Sequence, residues 1–513
     1  MDKYYITTTL PYVNADPHIG FALELFQADV LARYQKLLGK DVVFNFGTDE
    51  HGVKVYTKAK EEGKDPKTYC DEYAIKYEAL KKHFNLSSTN FIRTTDEHHI
   101  KAAQEFWTRC FKNGDIYKKN YKTKYCIGCE LEKTDSELVD GRCPIHPNRE
   151  IEIREEENYF FRFTNHQQAL LNLYKQRPDF VIPANRLKEI ATFVKAGLQD
   201  FSISRLKSKM PWGIEVPNDP EHVMYVWFDA LINYISTLGW PENTKNFEDF
   251  WPGTQVAGKD NLRQQSAMWQ AMLASAGLPF SKQVFIHGFL TLNGQKISKS
   301  LGNSIDPIGL IDKYGVDAVR YYFLAKNNPF EDADFTYQKF EEVYNSDLAN
   351  GLGNFVSRVT ALVHKYNNGR VPEISDDADN HPLRINDGIF NWKKSWKAVD
   401  DNIAIFRFDN ALSSIWNFIT EADKYINENK PWELATRNKK GYDWVIYGLL
   451  DSLQQVAWQL NPFLPETSEK IANILNITEL LSDKPNFKES WTNIKPGTVI
   501  KNEKPLFPRL KLS

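Results

Sequence analysis

The first forty-six residues constrain the fold more than any other stretch of the chain. Tyr4 to Leu10 is dense in β-branched and aromatic residues and reads as a strand. After Pro11 and the turn-rich Asn14-Ala15-Asp16-Pro17, apolar residues recur at Ile19, Leu23, Phe26, Val30, Tyr34 and Leu37. Those spacings predict a helix, and Gly39 stands where a glycine would end it. A second strand, Asp41 to Phe46, runs into Gly47-Thr-Asp-Glu-His-Gly52. Strand, helix, strand is a βαβ unit, which implies a parallel sheet with right-handed crossovers. Ligands on such sheets collect at the carboxyl ends of the strands. Two polar clusters fall there, around His18 and Asp49.

The pattern changes between about 116 and 210, where an acidic stretch (Glu150 to Glu157) and short mixed elements read as an insert. Strand-and-helix alternation resumes around Tyr225-Val-Trp-Phe, Thr254-Gln-Val-Ala and Val284-Phe-Ile-His, and after about 340 the signal is almost purely helical. At roughly 150 residues per domain, 513 residues make about three and a half domains. The expected division is an α/β, Rossmann-like parallel-sheet domain in two halves, 1–115 and 211–289, split by a connective insert, 116–210. A small domain, 290–345, and an all-α domain, 346–513, follow. A net charge of −3 excludes a basic coat, so any polyanion site must be local. No run of 18 apolar residues appears, which excludes a transmembrane helix. The N-terminus lacks a basic region ahead of an apolar run, so no secretory signal and a cytoplasmic location are expected.

Five cysteines are present, and an odd count with three inside 18 residues does not form a secreted disulfide framework. Cys126, Cys129, Cys143 and His146 make the pattern C-x2-C-x13-C-x2-H, the spacing of a zinc knuckle. A catalytic ion is conceivable, but four protein ligands leave no open position, so one structural Zn2+ is expected. Cys70 and Cys110 read as buried small hydrophobes.

Two short motifs carry the chemistry. Pro17-His18-Ile19-Gly20 opens the first helix, whose free N–H groups and positive dipole end suit a phosphate. Lys296-Ile-Ser-Lys-Ser300, flanked by Asn293-Gly294 and Gly302, makes a cationic clamp for a polyphosphate. Taken singly, His18 reads as a helix cap and the lysine loop as a solvated turn. Together, some 275 residues apart in an interrupted α/β pattern, they point to a nucleotide site.

Here the chain resembles a known family. PHIG and KISKS look like the signatures of class I aminoacyl-tRNA synthetases. Leu10-Pro-Tyr-Val-Asn14, Gly47-Thr-Asp-Glu-His-Gly52, Tyr225-Val-Trp-Phe-Asp-Ala230 and the CxxC…CxxH knuckle narrow the resemblance to the methionyl branch over nearly the whole chain. The resemblance implies ATP- and Mg2+-dependent activation of L-methionine to methionyl-adenylate, then transfer to tRNA(Met), with a helical anticodon-binding domain; no dimerisation domain follows that helical segment in the sequence, so a monomer is expected. His18, Lys296 and Lys299 match the residues that steady the phosphates, with Gly20 and Ser298 beside them; Gly258 and Asp260 match the ribose-binding segment. Asp49 matches the ammonium-binding carboxylate and Arg205 its partner; Leu10, Tyr12, Trp227, Ala230, Leu231 and Tyr234 match the side-chain pocket. Asn354, Arg358 and Trp432 match residues that read the anticodon, by stacking and edge hydrogen bonds to splayed bases. An insert of about 95 residues leaves no room for the large editing domain of the isoleucine, valine and leucine enzymes.

Two departures stand out. Phe21 replaces the second histidine of the first signature, and Gln264-Gln265 replaces the Phe-His common in relatives, which changes pocket shape and polarity while leaving Gln265 able to bond Tyr234. They keep two other readings open: a paralogue with altered amino-acid specificity, and a catalytically inactive tRNA-binding relative.

Overall fold

The computed structural model describes residues 1–129, 131–133, 137–297, 305–374, 392–478 and 494–511. Its centre is a six-stranded, all-parallel sheet in the order Asn90–Arg93, Asp41–Thr48, Lys3–Thr8, Thr254–Gly258, Gln283–His287, Val181–Ile182. The first strand is buried from Tyr4 to Thr8, as expected where both sheet faces are covered. Its register pairs Ile6 with Phe44 on one side and with Thr254 on the other. The expected helix spans Ile19–Leu37 and stops two residues before Gly39, whose φ of +81° is the left-handed conformation that glycine adopts most readily. The strand order reverses between Lys3–Thr8 and Thr254–Gly258, so a crevice opens at their carboxyl ends.

The insert contributes a four-stranded antiparallel sheet in the order Leu131–Lys133, Ile116–Cys126, Glu152–Phe161, Phe201–Ser202. The acidic run thus lies on a strand paired with a lysine-bearing one: Lys122 opposes Glu155 in register, and Lys118 bonds Glu157 (3.3 Å) and Asp219 (2.7 Å). Opposite charges across a strand pair are favourable, which accounts for a run of one sign. Val181–Ile182 leaves this region to become an edge strand of the parallel sheet.

Tyr225–Phe228 is not a strand. Tyr225 caps a short helix, Val226–Ala230, that follows strand Asp219–Met224. Phe228 packs edge-on against Phe106 and Trp107, and Asp229 is held by two histidines, so tertiary contacts override the β propensity of this aromatic stretch.

Beyond the parallel sheet, Leu290–Leu292 pairs with Gln295–Lys296 and Ala333–Phe335, with helices Pro307–Tyr314 and Val316–Ala325 packed alongside. From Tyr337 on, the described residues form no further strand, and helices Asn354–Tyr366, Trp392–Ala404, Phe408–Asn429, Pro431–Arg437, Lys439–Leu460 and Pro465–Leu475 form a bundle. One apolar core runs from Ile19–Leu37 through the small domain into this bundle; a second fills the insert side around Phe106, Trp107, Phe228 and Trp269. Among the described residues, no helix is long and apolar enough to cross a membrane.

Candidate active site and metal centre

The loop and helix after the first strand form one wall of the crevice. Pro11 O accepts from Asp49 N–H (2.9 Å) and Asp49 O from Val13 N–H (3.3 Å), which joins the loops leaving two adjacent strands. His18 caps the helix: its Nδ1 accepts from Gly20 N–H at 3.2 Å, and a Cβ on residue 20 would sit 3.1 Å from the imidazole. Nδ1 is therefore unprotonated in this bond, and Nε2 carries the proton. Phe21 points inward onto Tyr77, with ring centroids 6.0 Å apart, and Tyr77 Oη donates to Ala15 O (3.0 Å) in the same loop.

One turn on, Glu24 is buried and accepts from Thr9 N–H (2.7 Å) and Thr9 Oγ1–H (2.6 Å). Its other oxygen meets His287 Nε2 at 2.9 Å, while His287 Nδ1 faces Gly288 O at 2.8 Å. Burial works against a charged imidazole here. The Glu24 carboxylate, the Gly288 carbonyl and Asp260 outweigh it and raise the His287 pKa above the usual histidine value. Gly258 pairs with His287 in register, and a Cβ there would stand 3.0 Å from Asp260 Oδ1, so the backbone is open to close approach. Lys296 lies on the strand Gln295–Lys296, opposite Thr291; Ser298 and Lys299 lie outside the described residues.

The loop carrying Asp49 is pinned by buried charge. Glu50 takes a two-point bond from Arg93 (2.6 and 2.8 Å), and Asp229 bridges His51 (2.6 Å) and His99 (2.9 Å). Burial penalises the Asp229 carboxylate, but the two histidines hold its pKa below the usual range. Asp49 itself is buried and bridges to Tyr12, whose ring meets Trp227 edge-on at 6.4 Å. Arg205 donates from Nη1 to Ser202 Oγ and Ser204 O, both 2.7 Å, and lies over the rings of Tyr225 and Tyr125. Ala230, Leu231 and Tyr234 are buried on the turns after Trp227, and Leu10 is half-buried after the first strand. Gln265 donates to Tyr234 Oη at 2.7 Å from a π-helical turn, Gln264–Met268. Such turns recur at functional sites because they redirect a side chain.

Glu24, His287 and the Asp229 histidine pair are additions that sequence patterning does not single out. His287 carries one legible signal, its place at the carboxyl end of a sheet strand. Glu24 and Asp229 look like ordinary helix residues until their partners arrive from far along the chain.

In the insert, Cys126, Cys129, Cys143 and His146 converge, with every pair of ligand atoms within 4.8 Å. Cys129 Sγ lies 3.4 Å from Cys143 Sγ and 3.2 Å from His146 Nδ1. A tetrahedral ion with bonds of about 2.0–2.3 Å spaces its ligands at such distances, so the four residues fit one metal ion. Gly128 makes room: a Cβ there would fall 2.4 Å from His146 Cγ. Among the described residues this is the one such cluster.

At the other end of the molecule, Asn354 and Arg358 lie one turn apart on Asn354–Tyr366; Asn354 is exposed, and Arg358 is braced by Asp423 and Asn427, both 2.6 Å. Trp432 is exposed on Pro431–Arg437, which packs against that helix.

Comparison with known proteins agrees with this arrangement. Residues 4–151 and 137–360 match the family of tRNA synthetases class I (M), and 392–506 match the anticodon-binding domain of tRNA ligases. The methionine–tRNA ligase of Thermotoga maritima is 42% identical over 99% of this chain and 80% of its own length. The chain belongs to the methionyl class I tRNA synthetases. The Synechocystis methionine–tRNA ligase is 39% identical, over 99% of this chain and 98% of its own. A solved structure of Mycobacterium tuberculosis methionyl-tRNA synthetase with methionyl-adenylate superposes with a TM-score of 0.92 at 35% identity, covering 99% of this chain and all of that one.

Within this family both departures have a local explanation. Phe21 faces apolar core rather than the crevice, so the loss of a histidine there is matched by ring packing on Tyr77. Gln265 donates to Tyr234 Oη through its side-chain amide, so residue 265 makes a hydrogen bond there without an imidazole.

Proposed function

We propose that this methionine–tRNA ligase works through the residues gathered at the crevice. The likeness over 99% of the chain to an enzyme holding methionyl-adenylate carries this reading. In the first step a carboxylate oxygen of methionine attacks the α-phosphorus of ATP, the bond to the bridging oxygen breaks, and pyrophosphate leaves. Negative charge grows on phosphate oxygens, so His18, Lys296, Lys299 and Ser298, with the helix start at Gly20, stabilise it. The Asp260 carboxylate accepts from ribose hydroxyls beside Gly258. Asp49, steadied by Arg205, takes the ammonium, and Leu10, Tyr12, Trp227, Ala230, Leu231, Tyr234 and Gln265 enclose the thioether arm. In the second step a 3′-terminal hydroxyl of tRNA(Met) attacks the activated carbonyl and AMP leaves.

The Cys3His cluster holds one Zn2+ that shapes the insert, and Mg2+ accompanies ATP. Asn354, Arg358 and Trp432 read the anticodon. The domains on this reading are the halves 1–115 and 211–289, the insert 116–210, the small domain 290–345 and the helical domain 346–513. The setting is cytoplasmic and the working unit a monomer. ATP–pyrophosphate exchange with each of the twenty amino acids, without tRNA, is expected to respond to methionine alone; exchange with another amino acid overturns the substrate. Lys299→Ala is expected to lower adenylate formation far more than tRNA binding. Equal losses in both would remove Lys299 from the phosphate site.

A further inference from the structure

Behind the pocket tyrosine lies a chain of uncharged side chains whose direction is set by the backbone. It begins at Gln270, whose Oε1 accepts from Ser281 N–H (3.0 Å) and whose Nε2 donates to Gln265 O (2.8 Å). Those two main-chain groups leave the amide one orientation. The second Nε2 hydrogen goes to Ser281 Oγ at 3.0 Å, and Ser281, already accepting, donates onward to Gln255 Oε1 at 2.6 Å. Gln255 is thereby turned with Nε2 toward Gln265 Oε1 (3.0 Å), and Gln265 with Nε2 toward Tyr234 Oη (2.7 Å). All five side chains are buried. An amide has a donor end and an acceptor end, so each link dictates the next. Tyr234 ends the chain as an acceptor, which leaves its own proton for a different acceptor. Burial, opposed by hydrogen bonds from the Gln265 and Asn233 side chains and aided by the Glu24 and Asp49 carboxylates, pushes the Tyr234 pKa well up, so the hydroxyl keeps that proton.

We infer that Gln255, Gln270 and Ser281 are positioning residues for amino-acid specificity: through Gln265 they hold Tyr234 as a hydrogen-bond donor to the pocket. A thioether sulfur accepts such a bond and a methylene does not. The inference rests on the methionine-ligase reading. None of the links titrates near neutral pH, so the preference they create is independent of pH.

The test is pyrophosphate exchange by the full chain with methionine and with norleucine, which carries a methylene in place of the sulfur, between about pH 6 and 9. Wild type is expected to prefer methionine by a constant ratio of kcat/KM. In Gln255→Glu the ionised carboxylate has only acceptors. It draws Gln265 Nε2 toward itself and turns Gln265 Oε1 to Tyr234, which then donates backward. The ratio is expected to fall roughly three- to tenfold at high pH, the worth of one hydrogen bond. Burial at this position raises the carboxyl's pKa above its ordinary value of about 4.3, so the ratio recovers toward the low end of the range, where the protonated carboxyl donates to Gln265 as the amide did. Ser281→Ala, which cuts the chain without adding charge, is expected to lower the ratio by a smaller factor at every pH. Ratios unchanged in both variants, with both substrates slowed alike, would reduce the chain to packing and overturn the inference. Absence of methionine-dependent exchange in wild type would instead remove the reading beneath it.

Discussion

Single residues here divide into those whose chemistry announces them and those whose position does. Cys126, Cys129, Cys143 and His146 are legible from spacing, because few other arrangements bring three thiols and an imidazole so close in sequence. Gly128 is legible only from the fold, since its lack of a side chain matters through one contact with His146. Gly128→Ala is expected to displace His146 and lower bound zinc below one per chain, measured by elemental analysis; a full complement would show that the loop absorbs the methyl. His287 gives the second residue-scale expectation. Its folded pKa is raised, so the pair with Glu24 stabilises fully below the unfolded value of about 6.5 and is lost as pH rises through the folded value. Stability measured by urea titration should decline over that range, and His287→Asn should flatten the decline.

Among elements, the helix Ile19–Leu37 is legible to its ends from apolar spacing, His18 and Gly39, because local rules govern both caps. The short helix Val226–Ala230 is not, because Phe106, Trp107, His51 and His99 decide its conformation from distant parts of the chain. Val181–Ile182 is two residues long, too short for any periodic signal, yet it joins the parallel sheet. The break before Trp432 has a local cause: Lys430 takes φ +44°, and Pro431, lacking an N–H, begins the next helix. That break leaves Trp432 exposed beside Asn354–Tyr366. Trp432→Ala is expected to raise KM for tRNA about tenfold or more, the worth of one stacked base, while sparing pyrophosphate exchange. Unchanged charging would remove it from the anticodon site.

At the scale of the whole molecule, Arg320 ties three regions together. Fully buried, it pairs with Asp29 of the first helix at 2.8 Å and donates to Phe463 O (2.7 Å), Pro462 O (3.1 Å) and Phe84 O (3.4 Å). Tyr34 Oη adds a bond to Asp400 of the bundle, 2.8 Å. Removing one partner of a buried ion pair leaves an uncompensated charge, so Arg320→Met is expected to cost about 3–5 kcal/mol. It should also split one calorimetric transition into separate melting of sheet domain and bundle; a single unshifted transition would show that apolar packing alone couples them. By itself the sequence determined the βαβ start, the interrupting insert, the metal knuckle, the helical end and the family, because caps, periodicity and ligand spacing act over a few residues. Only the tertiary structure decided that Glu24 meets His287, that Asp229 joins His51 to His99, that Gln255 and Ser281 stand behind Tyr234, and that Arg320 reaches the bundle. Those bonds join residues up to 263 positions apart, and a side chain's partner across such a distance is chosen by packing rather than by neighbours in the chain.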